Sequence, residues 1–127
     1  MEELWGEPKG GSAGLVATTG GNDLLHTLST GRTAKITKIL AYNNTGANVT
    51  LQFGTLDRTA PPGAFVQLLP SLVSINGLDN EWTEEDLPAI EFASDTSAGA
   101  AGRTGNIYVL ASAAGVDVVI EVREKGA

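Results

Sequence analysis

Thr33-Ala-Lys-Ile-Thr-Lys-Ile-Leu-Ala-Tyr-Asn-Asn-Thr-Gly-Ala-Asn-Val-Thr-Leu-Gln-Phe-Gly54 consists of two alternating arms rich in β-branched residues, joined by a polar Asn/Gly stretch. Val, Ile and Thr suit a pleated, half-buried surface, and successive strand side chains point to opposite faces, so each arm reads as a strand. The polar turn between them predicts a β-hairpin. Val49, Leu51 and Phe53 are expected to face the core. In the first arm the alternation slips between Ile36 and Ile39, which predicts a β-bulge or a strand crossing between sheets and leaves the facing of Tyr42 open.

The same grammar extends outward to both sides. Short apolar or alternating stretches at 15–18, 23–29, 64–69, 72–75, 89–93, 106–113 and 116–124 are separated by Gly, Asn, Asp and Pro. This spacing predicts an all-β, jelly-roll-like β-sandwich of about eight strands. In the last stretch Val116, Val118, Ile120 and Val122 alternate with Asp117, Val119, Glu121 and Arg123, so the first set is expected to face inward. Thr83-Glu84-Glu85-Asp86 matches a helix-cap signature that Pro88 ends after about one turn, which predicts a short helical connection.

Residues 1–14 carry Gly6, Pro8, Gly10, Gly11 and Gly14 among polar residues. Such a composition gains little from burial and reads as a flexible N-terminal arm, leaving 15–127 as a single sandwich domain. Leu4 and Trp5 are the exception: an indole on a tail either frays or docks, and a neighbouring subunit is the candidate surface. The small, polar stretch 94–105 is expected to be mobile or ordered only at an interface.

Eight Lys and Arg against fifteen Asp and Glu give a net charge of −7, which opposes binding to phosphate backbones or anionic membranes. Neither nucleic acid nor membrane is therefore an expected partner. There is no Cys, which excludes disulfides and is compatible with a reducing interior. No apolar run approaches the roughly 20 residues of a bilayer span, and the first residues lack the pattern of a secretory leader.

Residues able to do chemistry are sparse. Acid–base and nucleophilic catalysis rest most often on His or Cys, and the chain has one His, His26, in a strand-like stretch where a hydrogen-bonded structural role is expected. Asp79, Glu81, Glu84, Glu85, Asp86, Glu91 and Asp95 form an acidic group that reads as a solvated loop or a subunit contact. Its other readings are a Ca²⁺ site, which lacks the spacing of a dedicated calcium loop, and a carboxylate pair for glycoside hydrolysis. Trp82, beside that group, is the best platform for stacking a sugar, with packing on the core or a partner as the alternative. Asn43-Asn44-Thr45 and Asn48-Val49-Thr50 read as turn chemistry rather than glycosylation sites. No catalytic, cofactor or metal residue is nominated, and an enzyme is not expected. The candidate partner-binding residues are Leu4, Trp5, Trp82, Glu84, Glu85 and Asp86.

The segments Leu24-Leu-His-Thr-Leu-Ser-Thr-Gly-Arg-Thr-Ala-Lys-Ile-Thr-Lys-Ile-Leu-Ala-Tyr-Asn-Asn-Thr-Gly46 and Val49-Thr-Leu-Gln-Phe-Gly54, with Asp86-Leu-Pro-Ala-Ile-Glu-Phe92 and Val116-Asp-Val-Val-Ile-Glu-Val-Arg-Glu124, resemble tailed-phage capsid decoration, or cement, proteins. The resemblance is one of style over about residues 23–124, shared in part with phage fibre modules and other sandwiches. It implies a compact β domain that forms a homotrimer, binds the major capsid protein on the virion exterior and stabilises the shell. A carbohydrate- or receptor-binding module using Trp82 and the acidic loop is the alternative function.

Overall fold

A computed structural model describes residues 5–15, 23–29, 31–56, 65–93 and 105–126. Ten strands lie among the described residues: β1 (Lys9–Leu15), β2 (Asp23–His26), β3 (Arg32–Asn43), β4 (Val49–Leu56), β5 (Phe65–Gln67), β6 (Leu72–Ser74), β7 (Asp79–Thr83), β8 (Glu91–Ala93), β9 (Ile107–Ala111) and β10 (Val116–Gly126). They form two five-stranded antiparallel sheets. The first runs β1-β10-β3-β7 with β8 also on β3; the second runs β2-β9-β4-β5 with β6 also on β4. The molecule is a β-sandwich, as the alternation requires.

The expected hairpin is not formed. β3 is bonded along one edge by β10 and along the other by β7 and β8, while β4 is bonded by β9 and by β5 and β6. Neither arm has a free edge for the other. Both are central strands of opposite sheets, so the polar stretch 44–48 carries the chain across the sandwich and the two apolar faces meet through the core. Asn43 anchors this crossing: its buried Nδ2 donates to the carbonyls of Ala47 and Ser74 at 2.9 and 2.8 Å, and its Oδ1 accepts from Thr45 N and Oγ1 at 3.0 and 2.7 Å. Gly77 N donates to the Asn43 carbonyl at 2.7 Å, tying the 75–78 turn to the same corner. The Asn-rich stretch is turn chemistry, in a crossing rather than a hairpin.

Val116, Val118, Ile120 and Val122 are buried, and so are Val49, Leu51 and Phe53. The phase slip in β3 is a bulge. Glu121 pairs with Lys38 and Val122 with Ile36, leaving Thr37 as the extra residue, whose Oγ1 donates to the Glu121 carboxylate at 2.9 Å. Beyond the bulge Tyr42 points outward. Thr83 to Leu87 makes a hydrogen-bonded turn rather than the expected helical connection: the Thr83 carbonyl accepts from Asp86 N and Leu87 N at 2.9 and 3.1 Å, and the described residues contain no helix.

β1, of which residues 9–14 are placed by composition in a flexible arm, is paired with β10. A strand needs backbone partners rather than apolar side chains, and here the missing side chains are what admit it. A Cβ on Gly11 would lie 2.3 Å from the Leu25 carbonyl oxygen, so β1 approaches β2 this closely only as glycine. The expectations for Leu4 and for 94–104 fall outside the described residues.

Candidate functional site

The sequence-nominated residues fall on separate faces. Trp5 is half-buried on the outer side of the first sheet, with the Nζ atoms of Lys35 and Lys125 each 4.6 Å from its ring centroid. Such geometry suits cation–π attraction. Trp82 turns the other way: it pairs with Ile39 on β3 and packs against the core. Glu84, Glu85 and Asp86 are exposed on the turn after β7. The Asp86 carboxylate is engaged locally, accepting from Thr83 N at 2.9 Å and Thr83 Oγ1 at 3.2 Å. Among the described residues no three His, Cys, Asp or Glu side chains come together as metal ligands, and no helix is long and apolar enough to cross a membrane.

A charged centre lies elsewhere, at the end of the core. Glu124 continues the inward series of Val116 to Val122 and is only 5% exposed. Its Oε1 accepts from Arg32 Nε at 2.7 Å, and its Oε2 lies 2.5 Å from His26 Nε2 and 3.6 Å from Lys9 Nζ. A carboxylate only accepts, so Nε2 is the His26 nitrogen that carries the proton. Burial pushes the Glu124 carboxyl upward, but the hydrogen bonds from Arg32 and His26 and the charges of Lys9 and His26 outweigh it and hold the group below its ordinary value. With both oxygens occupied, this carboxylate ties β1, β2, the start of β3 and β10 together. The role expected of His26, a strand histidine with a hydrogen-bond partner, is the one it fills.

The outer face of the first sheet is the second feature. Leu40, Tyr42 and Val119 are 38, 47 and 40% exposed and lie side by side, Leu40 opposite Val119 and Tyr42 opposite Asp117. They line a shallow groove of about 480 Å³ whose rim carries Asp79, Glu81 and Asp117. An adjoining groove toward β1 shares Leu40 and Val119. The open face of an antiparallel sheet normally carries polar residues, so an apolar row there marks a surface that another molecule can cover.

Comparison with family models, with curated proteins and with solved structures finds no match to this chain.

Proposed function

We propose that this chain is a structural binding module, a capsid decoration protein that clamps the outside of a viral shell as a homo-oligomer. The observation that carries the proposal is the row Leu40, Tyr42 and Val119 exposed on a rigid sheet. A solvated face gains nothing from three such side chains, whereas a contact does. Support also comes from the likeness to phage decoration proteins, which points to a homotrimer on the virion exterior in contact with the major capsid protein. Clamping then follows from valence: once one subunit is seated, its tethered neighbours act at raised effective concentration. The rival carbohydrate- or receptor-binding function relies on Trp82 as a platform, and that indole packs on the core.

Light scattering and co-sedimentation test the proposal. The expected mass is a multiple of 13.1 kDa, and the protein is expected to pellet with expanded shells of a tailed-phage major capsid protein and to raise their heat tolerance. A protomer that stays single and remains in the supernatant while such shells pellet overturns it.

A further inference from the structure

The outer face of the first sheet carries its own electrostatic complement. Asp79 and Asp117 flank Tyr42 at one end. Glu81 and Val119 flank Leu40 in the middle, and beyond the Thr37 bulge Glu91 and Arg123 flank Lys35. Lys38 is paired with Glu81 and Lys125 with Glu91, each at 3.6 Å, so those charges are compensated in place. What remains is a dipole: Asp79 and Asp117 at the Tyr42 end, Lys35 and Arg123 at the Trp5 end, with Leu40, Val119 and Glu121 between, where Glu121 lies opposite Lys38 and its carboxylate accepts from Thr37 Oγ1 at 2.9 Å. We infer that a second copy of this chain docks on this face, related by a two-fold axis that lies in the plane of the face and crosses β10 between Val119 and Glu121.

The geometry of the dipole selects both the occupant and the axis. Asp117 and Arg123 lie on one strand, equally spaced about residue 120 and roughly 20 Å apart at about 3.3 Å per residue. Turning a second copy about that axis sets each Asp117 over the partner's Arg123 and each Tyr42 over the partner's Trp5–Lys35 corner. An axis along the strands would instead stack acids on acids, which two chains of net charge −7 tolerate poorly. The contact is isologous, as closed two-fold pairs require. Its size is adequate: four strands about 4.8 Å apart and the 11 residues of β10 span roughly 19 by 36 Å, or about 700 Å². A stable interface takes about 800 Å² per partner. This inference rests on the assembly proposed above; if the assembly is a trimer, the two-fold contact joins one trimer to the next.

The test is sedimentation velocity on the full chain with Asp117→Lys and Arg123→Glu, singly, combined in one chain, and mixed as the two single variants. Both positions point outward, so the fold is expected to survive. Each single variant should halve the mass of the assembly and raise its dissociation constant at least ten-fold. The double variant and the equimolar mixture should both recover, because each restores two opposite-charge pairs. Arg123 Nη1 also donates to the Gly6 carbonyl at 3.1 Å; a loss caused by that bond alone would not be rescued in the mixture, and finding no rescue overturns the inference. A wild-type assembly indifferent to both swaps sinks the two-fold face and leaves the shell-binding function standing. A wild-type chain that never associates, yet pellets with shells, rejects the pairing and the oligomeric part of that function together.

Discussion

Replacing Glu124 by Gln keeps the shape of the side chain and removes its charge, and the consequence can be worked from its surroundings. A hydrogen bond to a charged group contributes about 1.5–3 kcal/mol, and breaking a fully buried ion pair costs about 3–5 kcal/mol. The side chains of Arg32 and Lys9 are 40 and 56% exposed, so both recover water when the charge is lost and the larger figure does not apply. Gln also keeps an acceptor for Arg32. A loss of about 2 kcal/mol follows, or a fall of about 6–10 °C in melting temperature for a chain of this length. The pH dependence gives the sharper test. The folded Glu124 carboxyl titrates below its ordinary value of 4.5, so its stabilisation is complete above that unfolded-state value and drains away as pH falls through the lower folded-state value. Urea unfolding of both proteins from pH 7 to pH 3 should show the wild-type advantage constant down to about pH 5 and shrinking below it. The other acids titrate in both proteins and cancel in the difference. A deficit that stays the same across this range, or a Gln variant as stable as the parent, would refute the assignment of Glu124 as a charged tie.

Gly54→Ala should cost about 3 kcal/mol or abolish folding, because its Cβ would come within 1.9 Å of the Val66 carbonyl oxygen; Gly10→Ala, where nothing lies within 4 Å, should leave the urea midpoint nearly unchanged. Asn43→Ala should cost about 2–3 kcal/mol by orphaning the buried groups at the crossing between the sheets, whereas Asn44→Ala, exposed one residue away, should cost under about 0.5 kcal/mol. Phe53→Ala should remove about 3–5 kcal/mol as a cavity at a fully buried position, measured by denaturant unfolding with an unchanged m-value.

Sequence periodicity located the strands other than β1 and β7, but not their partners. The alternation of Val116 to Val122 names the inward face because burial on one side imposes a period of two. It also reaches Glu124, which falls on the inward parity one step beyond Val122. A charged residue at an inward position is the signal of a buried ion cluster, and His26, Arg32 and Lys9 lie too far along the chain for any local pattern to join them to it. β7 is hidden differently. Asp79, Glu81 and Thr83 face out while Asn80 and Trp82 face in, a strand pattern that the acidic charge disguises as a loop. The 33–54 stretch reads as a hairpin because local sequence specifies strands and a turn, whereas the choice between pairing side by side and facing across a core depends on which other strands claim the edges. β10, β7 and β8 claim those of β3, and they come from far along the chain.

The glycine-rich β1 shows how the charged centre and the outer face connect. With little apolar surface to bury, this strand is held by its ladder to β10, by Gly6 N donating to the Glu124 carbonyl at 2.7 Å, by Lys9 reaching the Glu124 carboxylate, and by Trp5 lying against Lys35 and Lys125. Two of those four ties end on Glu124 itself, and the last builds the aromatic corner at the basic end of the face. A buried carboxylate is costly to keep in an apolar core of this size, since a well-packed hydrophobic replacement is often as stable or more so. What a hydrophobic residue cannot do is gather a lysine, an arginine and a histidine from three separate segments. Glu124 therefore holds the first residues against β10 twice, its carboxylate through Lys9 and its backbone carbonyl through Gly6, next to the Trp5 corner on which the self-complementary face depends.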